Sequence, residues 1–276
     1  MTTYHDFSSK LVPNTSKWKQ KILIGTAVTG LVRVEWVLAR YGQLIPVNWS
    51  VGDILDWIPT IAPLRYVVSD AQNLIVKAVI EQEAEWLLLL EHDNVIPPNT
   101  FNTLNGYMRR ATIPIVSALY FTKSEPPEPL VFRDSTLTSY YTKWKMGDKV
   151  WCDGVPTGCL LIHASILRAM WNESPDYKVG DQMTRRVFSE PSKCWFNPQR
   201  GCMESMTGTS DLAWCKRVVK DGIFEKAGWP KFAKMKHPFL MDTNLFVKHI
   251  DEAGRQFPIA VPSEFMPIPK KHGKHT

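Results

Sequence analysis

The chain has 276 residues, with 33 lysines and arginines, 27 aspartates and glutamates, and 44% hydrophobic residues. These values are ordinary for a globular protein with a substantial core, and they exclude disorder, collagen and coiled coil as descriptions of the whole chain. No apolar run approaches the roughly 18 to 20 residues that span a bilayer, and no signal peptide is visible. The expected location is cytoplasmic. Five cysteines without a CxxC pair favour free thiols.

The formal net charge of +6 is unevenly distributed along the chain. The segment from Lys216 to the end has 12 lysines and arginines against 6 aspartates and glutamates, so it carries the whole excess. Such a surface attracts the phosphates of a nucleotide, a nucleic acid or an anionic membrane, or it is a solvated basic face. Charge alone leaves these alternatives open.

The first half of the chain alternates apolar runs with helical patterns. Residues 1–20 are polar and aperiodic, which predicts an N-terminal arm. The elements predicted after it are a strand at KILIGT, a helix at VRVEWVLARYG, a strand at LIPVNWSV, a helix over 70–85, a strand at WLLLL, a helix ending near Arg110 and a strand at IPIVSALY. This order predicts an open, mainly parallel α/β sheet with helices on both faces.

The second half is less regular. The sequence predicts strands at KVWCDG and PTGCLLIHA, helices at SILRAMW and SDLAWCKRVVKDG, and long functional loops over 172–208. We therefore predict one domain over 21–264 and a basic tail at 265–276. The halves of that domain meet near residue 120.

Two carboxylates stand directly after the WLLLL strand, namely Glu91 and Asp93, with His92 between them. Residues i and i+2 of an extended segment project to the same side, and ligands bind at the carboxyl ends of strands in open α/β sheets. Carboxylate oxygens suit a divalent cation. Because the four leucines draw this segment into the core, burial of the charges without a counter-charge would be costly. This favours a functional site over a solvated turn.

WLLLLEHDNVIPP resembles the DxD segment of GT-A fold nucleotide-sugar glycosyltransferases, and the chain is similar in this to the glycosyltransferase family 2-like superfamily. The resemblance implies a GT-A (Rossmann-like) domain with a nucleotide-binding half at 21–120 and an acceptor half at 121–264. It makes Asp93 a ligand of Mn²⁺ or Mg²⁺ and Glu91 a contact of the nucleotide, with His92 as a further contact. A late histidine on a short strand, His249 in FLMDTNLFVKHID, corresponds to a second metal ligand.

Three further segments extend the resemblance. In DAQNLIVKAVIEQEAEW, Asn73 matches the asparagine of an Arg-Asn pair, and Gln72 replaces the arginine. Thr26 in IGTAVTG corresponds to the loop that holds the base and ribose. Gly158 in VPTGCLLIHASIL would let the backbone approach the sugar or diphosphate, or it has only a backbone role in a turn.

GTSDLAWCKRVVKDG resembles the helix start that carries the general base of inverting members, which makes Asp211 the catalytic residue. A carboxylate at a helix N-terminus is also an ordinary cap. If the enzyme retains configuration, Asp211 would only orient the acceptor. The sequence leaves the stereochemistry open.

The implied function is metal-dependent transfer of a sugar from a UDP- or GDP-sugar to a hydroxyl acceptor on a glycan, a lipid or a modified nucleic-acid base. Four loop tryptophans suit stacking on a sugar or a base, or pack in the core; they are Trp144, Trp151, Trp171 and Trp195. The alternative is a catalytically silent nucleotide-sugar or nucleic-acid binding module. A nucleotidyltransferase is the weakest hypothesis, because no glycine-rich phosphate loop with a following lysine comes after the first strand.

Overall fold

A computed structural model of the protein describes residues 19–49, 63–134, 137 and 139–267. Most of the predicted arm and tail lies outside them. The strands are β1 (Ile22–Gly25), β2 (Trp86–Leu90), β3 (Asn94–Val95), β4 (Ile115–Leu119), β5 (Lys149–Cys152), β6 (Cys159–His163), β7 (Asp176–Val179), β8 (Gln182–Arg185), β9 (Ser192–Asn197), β10 (Cys202–Thr207), β11 (Phe239–Phe246), β12 (Lys248–Ile250) and β13 (Gln256–Phe257). The helices are α1 (Val34–Tyr41), α2 (Val68–Glu81), α3 (Thr100–Arg110), α4 (Ala164–Glu173), α5 (Ser210–Lys220), α6 (Ile223–Lys226) and α7 (Pro230–Ala233).

The centre of the fold is a six-stranded sheet in the order β1-β2-β6-β4-β11-β5. The pairs β1–β2 and β4–β11 are parallel, while β6 is antiparallel to both of its neighbours and β5 is antiparallel to β11. The predicted α/β class is confirmed, and the prediction of a mainly parallel sheet is wrong. The reason is that β6, from the second half of the chain, inserts between two strands of the first half.

Strand β2 shows why its sequence has no polar alternation. All five of its residues are buried. Trp86, Leu88 and Leu90 pack in one apolar cluster with α1 and α3, whereas Leu87 and Leu89 pack in the other with α2, α4 and α5. The strand therefore has a core on each face, which confirms the prediction of a central strand covered on both sides.

Of the two apolar helical stripes predicted in the first half of the chain, one is buried and the other is largely exposed. On α2 the predicted stripe, which includes Leu74 and Val79, is buried as expected. On α1 the predicted residues Val34 and Leu38 are exposed, and the helix buries Trp36 instead. Helix α1 has only two turns, and the Trp36 indole both fills the core and donates a hydrogen bond of 2.9 Å to the backbone oxygen of residue 91. That anchor outweighs the smaller aliphatic side chains in setting the helix rotation.

Two further predictions are wrong: the long loops expected over 172–208 and the strand expected at LIPVNWSV. The segment 172–208 contains two antiparallel hairpins, β7–β8 and β9–β10, rather than long loops. Gly180 and Gly201 adopt positive φ in the two turns, where glycine avoids the strain of a side chain. The strand predicted at LIPVNWSV is absent over residues 44–48, of which 44–46 are irregular and 47–48 form a turn, and only Trp49 makes an isolated bridge, to Gln20; the last two residues of that segment lie outside the described ones.

The last described residues continue the packed core. Phe265 lies in a one-turn 3₁₀ helix at Ser263–Phe265, although the sequence assigns it to the tail. Its ring stacks on Trp144 with centroids 4.2 Å apart, which fixes the end of the domain to the segment after β4. None of the helices that the structure describes is long and apolar enough to cross a membrane.

The imidazole of His163 is held neutral at the start of α4. Its Nδ1 accepts a hydrogen bond of 3.3 Å from the backbone N–H of Ser165 and therefore caps the helix. The ring contacts the edges of Trp86 and Trp229, with centroids 4.7 and 5.3 Å away. Burial lowers the pKa of His163 from its ordinary 6.5 to about 4. The charged form of this side chain is thus disfavoured in the folded protein.

Stability should accordingly fall in mild acid. Since the pKa of His163 is lower in the folded state than in the unfolded chain, the unfolded chain binds the proton first as the pH falls. We expect the free energy of unfolding to decrease by about 3 kcal/mol between pH 6.5 and pH 4 through this group. Urea denaturation across that range should show a shallower pH dependence in His163→Asn, which keeps a capping side chain. Equal pH dependence in both proteins would contradict the prediction.

Candidate functional site

Three side chains with oxygen or nitrogen ligand atoms converge beyond the end of β2. One ligand atom from each of Glu91, Asp93 and His249 lies within 4.8 Å of the other two. The two carboxylates follow β2 directly, while His249 arrives on β12, which pairs antiparallel with β3 and sets His249 opposite Asn94. The chain reaches β12 through an irregularity in β11, where the register with β4 shifts between Asp242 and Phe246.

The orientation of His249 leaves one ring nitrogen for a ligand. Its Nδ1 lies 2.5 Å from the backbone oxygen of Phe121. Because a carbonyl only accepts hydrogen bonds, Nδ1 carries the proton and Nε2 keeps its lone pair. Burial lowers the pKa of His249, which favours the neutral imidazole that binds metals. A backbone carbonyl behind the ring is the common way of orienting a metal-ligating histidine.

The carboxylate of Glu91 is desolvated beside other acids. Burial, followed by the charges of Asp93 and Asp211, raises the pKa of Glu91 to about 8. Its Oε1 accepts a hydrogen bond of 3.1 Å from Thr157, and its Oε2 accepts one of 3.3 Å from Asn94. Two carboxylates this close strongly favour a nearby cation.

Lys123 supplies one positive charge to this cluster. Its Nζ lies 2.5 Å from Oδ2 of Asp93. The sequence analysis missed this lysine because it follows a later strand, β4, in the stretch YFTKSEPP, with no motif around it. Its place beyond the carboxyl end of a strand was the available signal.

Two cavities meet at Glu91, which lines both of them together with Val68. The larger, of about 340 Å³, extends from Glu91 and Thr157 to the start of α5. Asp211 and Glu190 also line this cavity, so its wall holds three carboxylates. The smaller, of about 160 Å³, extends along the loop after β1.

Asp211 lies in the first turn of α5 with its carboxylate in the larger cavity. Its Oδ1 accepts a hydrogen bond of 2.7 Å from the backbone N–H of Leu212. Burial raises the pKa of Asp211. A desolvated carboxylate that also faces a cavity fits the role of a proton acceptor better than that of a simple helix cap.

The smaller cavity is lined by His92 and by residues Ala27 and Thr29 of the loop after β1. The His92 ring bridges to this loop, with Nδ1 3.0 Å from the oxygen of Ala27 and Nε2 3.2 Å from Oγ1 of Thr29. Thr26, the residue chosen from the sequence, is buried and does not line this cavity. The loop predicted from the sequence therefore does line the cavity, but through Thr29 and not through Thr26.

Asn73 lies away from the cluster and serves as a structural anchor. Its Nδ2 donates to the hydroxyl of Tyr177 at 2.7 Å and to the backbone oxygen of Phe188 at 2.9 Å, and its Oδ1 accepts from the N–H of Phe188 at 2.7 Å. The side chain is fully buried and both of its donors are used. The neighbouring Gln72 donates to Thr157 at 3.2 Å and so supports the residue that binds Glu91.

Gly158 is required by close packing inside the protein. A Cβ there would lie 2.4 Å from Nδ2 of Asn94 and 2.5 Å from the hydroxyl of Tyr120. The N–H of Gly158 donates to that hydroxyl at 2.6 Å. These contacts agree with the backbone role and give no opening toward a sugar at the Cα.

The prediction that four tryptophans lie in loops holds only for Trp144, because Trp151 lies on β5, Trp171 on α4 and Trp195 on β9. The four differ in exposure. Trp144 is buried, and Trp151 and Trp171 are half-buried. Trp195, on β9, is 41% exposed. Of the four, Trp195 therefore offers the most accessible ring to a ligand.

Comparison with known proteins does not assign the chain to a family. No family model matches the chain, and no curated protein matches it. Among solved structures, the chain is similar to A197 from STIV, with 13% sequence identity and a TM-score of 0.47 over 84% of this chain and 86% of that one. A likeness at that level carries no argument about the site.

Proposed function

We propose that the protein is a metal-dependent glycosyltransferase, which moves a sugar from a nucleoside-diphosphate sugar to a hydroxyl acceptor. The observation that carries this proposal is the convergence of Asp93 and His249 on Glu91, a residue that lines both cavities. The donor set of two carboxylates and a neutral imidazole fits Mn²⁺ or Mg²⁺. Bound between these residues, the cation would neutralise charge on the leaving diphosphate.

In this proposal, the donor and the cation bind on the side of the smaller cavity. Asp93, His249 and Glu91 would hold the cation, and Glu91, which lines both cavities, would also face the sugar of the donor. The smaller cavity, with His92 and the aromatic ring of Tyr66, receives part of the nucleotide. Lys123, already beside Asp93, adds a positive charge on the side of the diphosphate.

Asp211 acts on the acceptor in the larger cavity. Its carboxylate takes the proton of the acceptor hydroxyl while the new bond forms between that oxygen and the anomeric carbon of the sugar. The bond from the anomeric carbon to the diphosphate breaks, and its electron pair leaves on the phosphate oxygen. In this direct displacement the sugar inverts its configuration. In a retaining reaction Asp211 would orient the acceptor instead.

A donor panel tests the proposal. Incubated with UDP-, GDP- and dTDP-sugars and Mn²⁺, the protein should slowly release one nucleoside diphosphate, because water can replace the acceptor. Chromatographic detection of the product, with and without a chelator, measures the reaction. We expect the chelator to abolish it and fresh Mn²⁺ to restore it. If no donor is hydrolysed and none shifts the melting temperature, the proposal fails.

One contact favours a second candidate, a nucleotide-sugar binding module without turnover. The Lys123 ammonium pairs with Asp93 at 2.5 Å and so supplies this carboxylate with a cation of the chain's own. Such a module would bind a nucleotide-sugar without any added metal. It predicts that a donor raises the melting temperature in the presence of chelator and is recovered intact.

A further inference from the structure

The hairpin β9–β10 rises from the rim of the larger cavity. Glu190 and Gly208, which line that cavity, flank the two strands in the chain. A backbone hydrogen bond of 2.8 Å from the N–H of Gly208 to the oxygen of Pro191 closes the base of the hairpin. The two ends of the hairpin thus belong to the wall around Asp211.

The hairpin exposes large apolar side chains. Trp195, Phe196 and Met203 are 41%, 58% and 62% exposed, and no residue of β9 is buried. Within the part of the chain that the structure describes, the sheet containing β9 and β10 has no third strand. An isolated two-stranded ribbon is only marginally stable in water. Retention of such side chains on it indicates a ligand rather than a core.

The two faces of the hairpin have different chemistry. The strand register sets Phe196 opposite Met203, which makes one face purely apolar at this point. Trp195 lies opposite Glu204 on the other face. There Glu204 accepts a hydrogen bond of 2.8 Å from Nδ2 of Asn197 and one of 3.2 Å from Nη1 of Arg200, so hydrogen-bonding groups of a carboxylate, an amide and a guanidinium lie on this side of the hairpin. An aromatic ring with hydrogen-bonding groups beside it suits the apolar face and the hydroxyls of a sugar ring.

The charge of the cavity selects against phosphorylated acceptors. Its wall holds Glu91, Glu190 and Asp211, and within the described parts of the chain no lysine or arginine lines it. Glu190 accepts a hydrogen bond of 3.2 Å from the N–H of Ser69 through its Oε1. A nucleic acid or a phospholipid would bring negative charge to this wall. An uncharged, hydroxyl-rich molecule would not.

We propose that the acceptor is a neutral oligosaccharide that stacks on Trp195 and places its terminal hydroxyl in the cavity beside Glu190 and Asp211. Trp195 stands four positions after Pro191 at the hairpin base, which in an extended strand is a distance of roughly 13 Å. An oligosaccharide spans that distance and a monosaccharide does not. This inference rests on the proposed function for the reaction itself, whereas the stacking contact is independent of donor and metal.

Binding of saccharides without donor or metal tests the contact separately from the chemistry. The probes are cellohexaose, maltohexaose, mannohexaose, chitohexaose and the corresponding monosaccharides, followed through the indole N–H resonances in ¹⁵N–¹H spectra. The resonance of Trp195 is assigned with Trp195→Phe. We expect one hexasaccharide to shift this resonance, and we expect its Kd to rise about tenfold in Trp195→Ala. Phe196→Ala, on the opposite face of the same strand, is the matched control and should bind as the wild type does.

Several results would overturn the inference. It fails if no hexasaccharide shifts the Trp195 resonance, or if Trp195→Ala and Phe196→Ala bind alike. It also fails if the oligonucleotide dT15 shifts the resonance and the saccharides do not. It fails as well if sedimentation shows that the wild type is a dimer and that Trp195→Ala is a monomer, because the hairpin would then bind a second copy of the chain. If saccharides bind at Trp195 but no donor is hydrolysed, the stacking contact stands and only the proposed reaction is wrong.

Discussion

Replacing Asp93 by asparagine is expected to slow metal-dependent release of nucleoside diphosphate by at least about 100-fold. Asparagine keeps the size of the side chain but removes the negative charge that faces His249 and Lys123. The remaining ligands, Glu91 and His249, hold a divalent cation less tightly, since neutral amide oxygen is the weaker ligand. The initial rate at saturating donor measures the first effect, and a Mn²⁺ titration followed by calorimetry measures the loss of metal affinity.

The matched control is Asp181→Asn, an aspartate in the exposed turn of the β7–β8 hairpin. It removes the same charge where asparagine is equally suited to a turn. We expect both rate and Mn²⁺ affinity to remain at the wild-type level. If Asp93→Asn also keeps its Mn²⁺ affinity, the cation binds elsewhere and the assignment of this cluster is wrong.

Asp211→Asn is expected to lower kcat for sugar transfer by about 10²- to 10⁴-fold, the range that a positioned general base contributes. The donor Kd should stay unchanged, because Asp211 lines the larger cavity and not the one beside His92. In the wild type, activity should rise with pH as the Asp211 carboxyl loses its proton, and burial moves this rise above the ordinary aspartate pKa of 3.8. Steady-state rates across pH should show that the variant loses this limb.

A carboxylate at the other end of the same helix provides the comparison. Asp221 follows α5 and accepts a hydrogen bond of 3.2 Å from Nε of Arg217. Asp221→Asn should leave kcat and its pH profile intact. Were Asp211→Asn to behave in the same way, Asp211 would be a helix cap and the reaction would need another base.

Local sequence patterns predicted the elements that depend on local chemistry. The unbroken apolar run at Trp86–Leu90 gives a doubly covered strand because each of its faces meets a separate core. The acidic residues after it were predicted as a metal site, and the structure brings Glu91 and Asp93 to His249 across more than half of the chain. Order along the chain and strand polarity suffice for such inferences.

The errors concern features that depend on distant residues. The position of β6 between β2 and β4 is set by pairing across the sheet, which no local pattern records. Asn73 and Thr26 lie in the correct segments, yet their burial follows from contacts with Phe188 and with the core rather than from their own neighbours. Lys123 belongs to the site only because β4 ends near β2 in space. Sequence spacing alone leaves these contacts undetermined.

The late arrival of His249 has a consequence for how the protein matures during synthesis. A growing chain that has emerged through β10 already carries Glu91 and Asp93, but it lacks β11 and β12 and with them the imidazole ligand. The proposed ligand set is completed only after β11 has joined the sheet between β4 and β5. Under the proposed function, tight metal binding would therefore follow the folding of β11 and β12, and an incomplete nascent chain would not hold the cation tightly.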